Sequence, residues 1–379
     1  MRKLLHNIET LRWDLWLTVT TLCMVLCGVV MVYSASMAMD NNRDLLMAQL
    51  RYAAVGIIAM ILLMHIDYRQ FKNPLLIYAG LGGVTVLLIA VFAFGRINGA
   101  HRWMRLGGFS LQPSELAKAG LVIFLAWFLA QREEEGLLAN FGATIAPAGV
   151  IISIISFLIL KEPDLGTTLM IGLIFATMVF ASGMPLRHLM KLVPLTLPVL
   201  ILLVMRVGWR WQRVTAFLDP ESDPLGKGYQ AMQSLIALGS GGFNGMGFGE
   251  GRQKLFYLPE AHSDFIFAVM GEELGFKGVV VLVLAYGVLL YRGLRISANA
   301  PDRFGQLLVI GFTTAIVAQA FFNISVNLSL LPTKGIPLPL VSAGGTSLIV
   351  TLATIGIMLN VSLHCARGNE AYRTDRTNG

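Results

Sequence analysis

Ten stretches of the chain are long and apolar enough to cross a lipid bilayer as helices. A hydrocarbon core about 30 Å thick needs roughly 20 apolar residues, because a helix rises about 1.5 Å per residue. Backbone groups left unpaired in lipid are costly, so each stretch is predicted to be α-helical, and the alternation typical of a membrane β-barrel is absent from the sequence. The predicted spans are 15–34, 52–66, 75–94, 114–131, 142–160, 165–182, 188–206, 265–291, 304–325 and 344–364.

The composition supports an all-α polytopic membrane protein. Of the 379 residues, 55% are hydrophobic and 13% are charged, and the mean hydropathy is +0.68. Soluble globular proteins usually have about 25% charged residues. The sequence contains no internal repeat, low-complexity tract or soluble-domain boundary, so residues 1–379 are predicted to form one membrane domain.

The basic residues between the apolar runs predict the orientation. If the N-terminal tail, residues 1–14, is cytoplasmic, then the even-numbered loops are cytoplasmic as well, and these loops are rich in Lys and Arg as the positive-inside rule requires. The C-terminal tail, residues 365–379, adds three more arginines. Both termini are therefore predicted to lie inside, and the first apolar run, which is too long for a signal peptide, is predicted to be a retained helix.

The net charge of +7 is explained by this topology and by contact with lipid headgroups. No block of Lys and Arg is interleaved with aromatic residues, as a nucleic-acid surface requires, so binding to nucleic acid is not expected.

One polar interruption, residues 207–263, is much longer than the others and lies on the outer side in this orientation. Loops of this length are usually functional or disordered. Its segments WRWQRVTAFLDP and KLFYLPEAHSDF have more apolar and aromatic residues than disordered chains, so the loop is predicted to pack on the bundle and to contain short helices. Two Gly- and Pro-rich segments on the same side, 94–118 and 327–347, predict a shared external cleft lined by non-helical backbone.

Charged residues on the outer side indicate what this cleft binds. Arg96, Arg102 and Arg105 occupy a short outer loop, against the positive-inside rule. Guanidinium groups match phosphate oxygens, so arginines beside carboxylates at the outer leaflet suit a phosphorylated lipid. The carboxylates would then serve as a general base or as ligands of a divalent cation. The alternative is that these charges only face water. The other outer charges are Arg210, Arg213, Arg252, Lys254, Lys334, Asp164, Asp219, Glu221, Asp223, Glu260 and Asp264.

Two pairs of charged residues lie within predicted helices. Glu115 and Lys118 are three residues apart on one helix face, close enough to form an ion pair. Ionisable groups in membrane helices are costly and usually mark a functional site, although a purely structural ion pair is the alternative and the two roles can coexist. Glu272 and Glu273 are predicted to form a structural polar network rather than to take part in catalysis.

Five motifs resemble those of the SEDS family (shape, elongation, division and sporulation), whose members polymerise a lipid-linked peptidoglycan precursor. They occur in the family's order and resemble its cell-division branch more than its elongation branch. Ala343 departs from the family pattern, which more often has an aromatic residue there, so a stacking role at this position is in doubt. The motifs are LPEAHSDFIFAVMGEELG at 258–275, GAHRWMRLGGFSLQPSELAK at 99–118, EPDLGTT at 162–168, FLDPESDPLGKGYQ at 217–230 and LPTKGIPLPLVSAGGTS at 331–347.

This resemblance implies the roles of individual residues. The essential extracellular aspartate of the family corresponds to Asp264, which is therefore the predicted catalytic base. The remaining matched positions are predicted to bind or orient the substrate: Arg102, Glu115, Lys118, Asp164, His262 and Lys334.

The resemblance also implies the reaction, the cofactor, the partners and the location. A sugar hydroxyl attacks the anomeric carbon of a lipid diphosphate donor, which needs charge neutralisation of the leaving group more than a second acid. A divalent cation, Mg²⁺ or Mn²⁺, is expected from the family and from this chemistry, whereas no metal-ligand spacing in the sequence indicates one. The expected substrate is lipid II, and the expected partners are a class B penicillin-binding transpeptidase and other division proteins of the bacterial inner membrane, at the septum.

Two alternatives remain at the level of sequence. A transporter that flips the lipid-linked precursor would also have ten helices with buried charges, but it would need a polar path through the whole membrane. A scaffold that only positions other division proteins would not need the aspartate or the arginines.

Overall fold

Helices account for nearly all of the regular structure. The computed structural model describes residues 13–378 except 41, 97–98, 220–225, 227 and 256, so Glu221, Asp223 and most of the predicted N-terminal tail lie outside the described residues. The helices are α1 (Leu15–Ala35), α2 (Asn42–His65), α3 (Pro74–Ala90), α4 (Pro113–Glu134), α5 (Phe141–Lys161), α6 (Leu165–Ala181), α7 (Leu186–Met205), α8 (Gly208–Leu218), α9 (Tyr229–Gly241), α10 (Ile266–Ala298), α11 (Arg303–Asn327) and α12 (Thr346–Asn378), with short 3-10 turns at Tyr68–Lys72 and Val91–Ala93.

The polytopic helical fold predicted from the sequence is confirmed. Within the described ranges, nine helices are long and apolar enough to cross a membrane, and α6 is a shorter apolar helix of 17 residues, at the lower limit for a span. These ten helices correspond to the ten predicted runs. Most of the apolar stretch of α4, α11 and α12 is buried, whereas most of the described side chains of α7 are exposed.

The prediction for α2 placed the start of the helix too late, at residue 52. The helix begins at Asn42, ten residues earlier. The prediction was late because the first turns of the helix carry polar and charged side chains, which do not belong to an apolar run. Gln49 and Tyr52 in this part are buried and line the cavity described below. The polar first half of α2 is thus a wall of that cavity.

The long loop packs on the bundle, as predicted, and contains two helices, α8 and α9. From the last residue of α9, Gly241, the chain lies directly against the backbone of α10. A Cβ added at Gly241 would be 1.9 Å from the Gly271 carbonyl oxygen. Main-chain hydrogen bonds join the two segments, from Met246 N to Glu272 O at 2.9 Å and from Phe276 N to Gly242 O at 2.9 Å. The loop is therefore fixed to the helix that Asp264 precedes.

At the same contact, α10 is kinked at Gly275, which has a φ of 68°. A Cβ at this position would be 2.2 Å from Gly245 N. Only glycine combines the positive φ with this close approach of two backbones.

Glu272 and Glu273 form a structural network, as predicted from the sequence. The Glu272 carboxylate accepts hydrogen bonds from the backbone N–H groups of Arg252 and Gln253. The Glu273 carboxylate accepts from Ser34 Oγ at 2.7 Å and pairs with Lys254 Nζ at 2.7 Å. Buried carboxylates need such partners, and these contacts tie α1, the long loop and α10 together.

A small antiparallel hairpin stands between α3 and α4. Its strands are β1 (Met104–Leu106) and β2 (Phe109–Leu111), and Gly107 and Gly108 between them both have positive φ, as a two-residue hairpin turn requires. The Tyr52 hydroxyl accepts a hydrogen bond from Ser110 N at 2.6 Å. The hairpin is thereby attached to α2 and holds the chain that carries Arg102 and Arg105.

Candidate active site

A cavity of about 1030 Å³ opens at the end of the bundle that carries the hairpin, α8 and the segment before α12. Its wall comes from the polar start of α2, residues 99–112, the α5–α6 junction, α8, residues 259–265, and the two stretches 332–337 and 343–345. The cleft predicted from the Gly- and Pro-rich segments therefore exists, and the long loop closes one of its sides.

Asp264 lies at the mouth of α10 and lines this cavity. Burial and the nearby charge of Glu260 raise the pKa of its carboxyl group to about 7, against the positive charges of Arg102 and Arg213. A carboxyl group with a pKa near the working pH suits proton transfer as a general base. The backbone of Gly335 lies so close to this carboxylate that an added Cβ would be 3.0 Å from Oδ2.

Arg102 is held by the turn between α5 and α6. Its guanidinium group donates hydrogen bonds to the backbone oxygens of Glu162, at 3.0 Å, and Pro163. The next residue, Asp164, accepts from Thr167 N at 3.0 Å and so caps the start of α6. Arg102 and Asp164 both line the cavity, so the structure brings these two predicted site residues together.

Two arginines on α8 complete a cluster of positive charge. Arg210 and Arg213 line the cavity with Arg102 and Lys334, and burial together with the Arg102 charge lowers the pKa of both α8 arginines. Burial and the neighbouring arginines lower the pKa of Lys334 to about 8, whereas Asp164 opposes the shift. Cations close together in one partly buried space can bind a multivalent anion such as a diphosphate.

The sequence predicted Arg210 and Arg213 to be charges on the outer side, but it assigned neither of them a specific role. The WRWQR run shows that they are three residues apart on a helix, but it does not show that the long loop returns them to Arg102, which is more than a hundred residues earlier.

His262 also lines the cavity. Its Nε2 lies 4.0 Å from Glu260 Oε2, and its backbone oxygen accepts a hydrogen bond from Ala343 N at 3.1 Å. Within the described ranges, its Nδ1 has no hydrogen-bond partner. Burial lowers the pKa of the imidazole, against the charge of Glu260.

Glu115 and Lys118 form the predicted ion pair at 2.9 Å, but neither residue lines the cavity. Both are buried in α4, and Lys118 Nζ also donates to Gln319 Oε1. The structure thus places this pair outside the cavity lining, next to Gln319. Direct binding of substrate by the pair stays a prediction.

Glu162 is a buried carboxyl group that was not among the predicted site residues. It is fully buried, and in the part of the chain that the structure describes neither of its carboxylate oxygens has a hydrogen-bond partner. Burial and the nearby Asp164 raise its pKa to about 8, against the charge of Arg102. At neutral pH the group is therefore mostly uncharged. Its position directly before the PDLG run was the available signal.

The described residues do not form a ready-made metal site. No group of three or more His, Cys, Asp or Glu side chains among them lies close enough to hold a metal ion. Mg²⁺ is often held by one or two carboxylates together with the phosphates of its substrate, and the carboxylates that line the cavity are Asp164, Glu260 and Asp264. The positive charges available to a diphosphate in this cavity include those of Arg102, Arg210, Arg213 and Lys334.

Comparisons with known proteins agree with this architecture. The model of the FtsW, RodA and SpoVE family of cell cycle proteins matches residues 14–367. A probable peptidoglycan glycosyltransferase FtsW from Geobacter metallireducens is 44% identical over 369 residues, with 94% of this chain and 96% of the relative covered. Stage V sporulation protein E from Bacillus subtilis is 39% identical over 356 residues, with 92% and 96% covered.

Solved structures share the fold. The rod shape determining protein RodA from Thermus thermophilus superposes with a TM-score of 0.67 at 30% identity, with 93% of this chain and 97% of that chain covered. A chain from a structure described as the coordination of polymerization and crosslinking by a peptidoglycan synthase complex gives a TM-score of 0.78 at 32% identity, with 94% and 99% covered.

Proposed function

Because this chain belongs to the FtsW, RodA and SpoVE family of cell cycle proteins, we propose that it is a peptidoglycan glycosyltransferase that polymerises lipid II, with Asp264 as the general base. The observation that carries the proposal is the cavity that this carboxylate shares with a cluster of partly buried cations. The resemblance inferred from the sequence motifs is confirmed by the same comparisons. The chain is a multi-pass membrane protein, and its likeness to FtsW proteins supports a role in cell division.

The proposed reaction is a single displacement. The acceptor sugar hydroxyl attacks the anomeric carbon of the donor, and its proton passes to the Asp264 carboxylate. The bond from the anomeric carbon to the diphosphate oxygen breaks, and the electron pair leaves with the lipid diphosphate. Attack opposite an α-linked diphosphate gives a β-1,4 linkage, and a positioned base of this kind typically contributes about 10² to 10⁴ in rate.

The cationic cluster stabilises the leaving group. Arg102, Arg210, Arg213 and Lys334 all line the cavity, and fixed charges in a partly dry site stabilise developing negative charge more strongly than water does. The divalent cation expected from the resemblance stays a prediction, and no step of this reaction is assigned to it. If one is required, EDTA will stop polymerisation and Mg²⁺ or Mn²⁺ will restore it.

The finer points of location and assembly are proposals as well. The lysines and arginines of the even-numbered loops support cytoplasmic termini and a cavity that opens to the outer face. A class B penicillin-binding transpeptidase is the proposed partner, supported by the likeness to a chain of a peptidoglycan synthase complex. Other division proteins at the septum and the surrounding membrane lipids complete the expected environment.

The direct test is polymerisation in reconstituted lipid. The chain, with its transpeptidase partner, labelled lipid II and a divalent metal, should give glycan strands on a gel, and Asp264→Asn should give none while it stays folded and partner-bound. Glu250→Gln is the matched control, because Glu250 is an exposed carboxylate of the long loop that does not line the cavity. Equal polymer from wild type and Asp264→Asn would remove Asp264 from the mechanism. Movement of labelled lipid II across the vesicle without polymer would support a transporter instead.

A further inference from the structure

Helix α11 presents three amide side chains along one face. Gln319, Asn323 and Asn327 are spaced four residues apart, which places them above one another on the helix. All three are buried, in a helix that is apolar enough to cross the membrane. Buried amides are costly unless their donors and acceptors are paired. The hydrogen-bond partners of these amides therefore show which parts of the chain they hold in place. We refer to these three side chains as the amide ladder.

The upper part of the amide ladder holds the backbone at Asp264. Asn323 Nδ2 donates to the Asp264 carbonyl oxygen at 2.8 Å, and Asn327 Nδ2 donates to the same oxygen at 3.1 Å. Asn327 Oδ1 accepts from Ala268 N, in the first turn of α10, at 3.2 Å. Two side chains therefore fix the peptide whose side chain is the proposed base.

The amide ladder also holds the opposite wall of the cavity. Asn323 Nδ2 donates its second hydrogen to Ile336 O at 2.8 Å, and Gln319 Nε2 donates to Pro337 O at 2.9 Å. Ile336 and Pro337 directly follow Lys334 and Gly335 and line the cavity with them. A single amide group, that of Asn323, thus bridges the segment of the base and the segment of the cationic Lys334.

The bridge requires an amide at position 323. Both partners of Asn323 Nδ2 are backbone carbonyl oxygens, which accept only, so the side chain must present its NH₂ group to them. An aspartate of the same shape would place a carboxylate oxygen against two carbonyl oxygens, and a leucine would leave both carbonyl groups without these partners.

The foot of the amide ladder rests on the Glu115–Lys118 ion pair. Gln319 Oε1 accepts from Lys118 Nζ, and Lys118 pairs with Glu115 at 2.9 Å. The ion pair therefore reaches the cavity wall through Gln319, because it orients the amide that donates to Pro337 O.

We propose that Gln319, Asn323 and Asn327 are positioning residues that set the distance between the Asp264 carboxylate and the Lys334 segment. The proposal rests on the proposed function, since it assigns these residues to the same reaction. Loss of the bridge lets the two walls move independently, and a displacement of about 1 Å at a reacting group can lower the rate about 100-fold.

The test compares Asn323→Leu and the milder Gln319→Met with wild type, in the full chain in lipid nanodiscs. Thr313→Val is the matched control, because Thr313 is a buried polar residue of the same helix whose hydroxyl has no partner among the described residues. Hydrogen exchange measured by mass spectrometry reports on residues 260–268 and 332–337 without any need for activity. Polymerisation kinetics with lipid II and the partner then give kcat, KM and the pH profile.

The expected result is faster exchange in both segments of the two ladder variants, with kcat lowered about 10- to 100-fold and KM changed less than about 2-fold. The acid limb of the pH profile should also move, because the Asp264 carboxyl group shifts relative to its charged neighbours. Thr313→Val should match wild type in every readout.

Two outcomes would overturn the positioning role. One is unchanged exchange in both segments of a folded ladder variant, whatever the activity. The other is faster exchange with kcat and pH profile equal to those of Thr313→Val. Absence of polymer from wild type would instead defeat the proposed function, so the two failures are distinguishable.

Discussion

The carboxylate of Asp264 lies against the backbone of Gly335, so close that a Cβ at residue 335 would be 3.0 Å from Asp264 Oδ2. The two residues come from different segments, one entering α10 and the other between α11 and α12. A real Cβ rarely approaches another atom this closely, so the absence of a side chain at residue 335 lets the Lys334 segment lie against the proposed base.

Gly335→Ala should therefore lower polymerisation without unfolding the protein. The methyl group displaces the carboxylate by a few tenths of an ångström, and we expect kcat to fall about 10-fold, as misplacement of a reacting group predicts. Gly82→Ala is the control, since a Cβ at Gly82 meets no other residue within 4 Å. Full activity of Gly335→Ala would show that the position of the carboxylate is not limiting.

The pH profile of polymerisation should be bell-shaped. A general base works when it is deprotonated, so the rate should rise as the pH passes the Asp264 pKa of about 7. The Lys334 ammonium is charged below its pKa of about 8, so the stabilisation of the diphosphate should be lost above that pH.

Two variants identify the alkaline limb. Lys334→Arg keeps the positive charge at high pH, and it should extend the plateau upward. Glu162→Gln removes another carboxyl group with a pKa of about 8, and it should leave the limb in place. If the alkaline limb disappears in Glu162→Gln and persists in Lys334→Arg, the limb reports the titration of Glu162 rather than that of Lys334.

The sequence predicted the helices well because each span is a long apolar run, and the family motifs identified Asp264, Arg102 and Lys334 through local patterns. The hairpin at 104–111 was missed, although Gly107 and Gly108 between short apolar strands are a turn signal. A strand of three residues has too little periodicity to be recognised alone.

Other parts of the site depend on contacts between distant segments. Arg213 reaches the cavity because the long loop folds back on the bundle, which no local pattern encodes. The amide ladder, in contrast, has a local signal: three amides at a four-residue spacing inside an apolar run, at 319, 323 and 327. Polar residues inside a membrane helix indicate a structural or functional contact, as charged residues do.

The ion pair of Lys254 and Glu273 should contribute strongly to stability. Both side chains are almost fully buried, and their charged atoms are 2.7 Å apart. Lys254→Met leaves the Glu273 carboxylate buried without its cation, which typically destabilises a protein by about 3–5 kcal/mol. Thermal unfolding in detergent should show a clearly lowered Tm.

A double variant and a surface control separate this effect from lost packing. Lys254→Met combined with Glu273→Gln should recover part of the stability, because the charge that lost its partner is gone. Lys277→Met, at an exposed lysine bonded to Asn244, should change stability by less than about 0.5 kcal/mol. Equal losses in the two lysine variants would contradict a special role for the buried pair.

Arg213 should affect both substrate affinity and the protonation of the base. Arg213 lines the cavity. A charge-assisted hydrogen bond to phosphate is worth about 1.5–3 kcal/mol, so Arg213→Gln should raise the KM for lipid II about 10- to 100-fold. Its charge also lowers the pKa of Asp264. Removal of that charge raises the pKa, and the acid limb of the profile should move to higher pH. The control is Arg206→Gln, at an exposed arginine directly after α7, which should change neither the KM nor the acid limb. If Arg213→Gln raised the KM without moving the acid limb, Arg213 would not influence the protonation of the base.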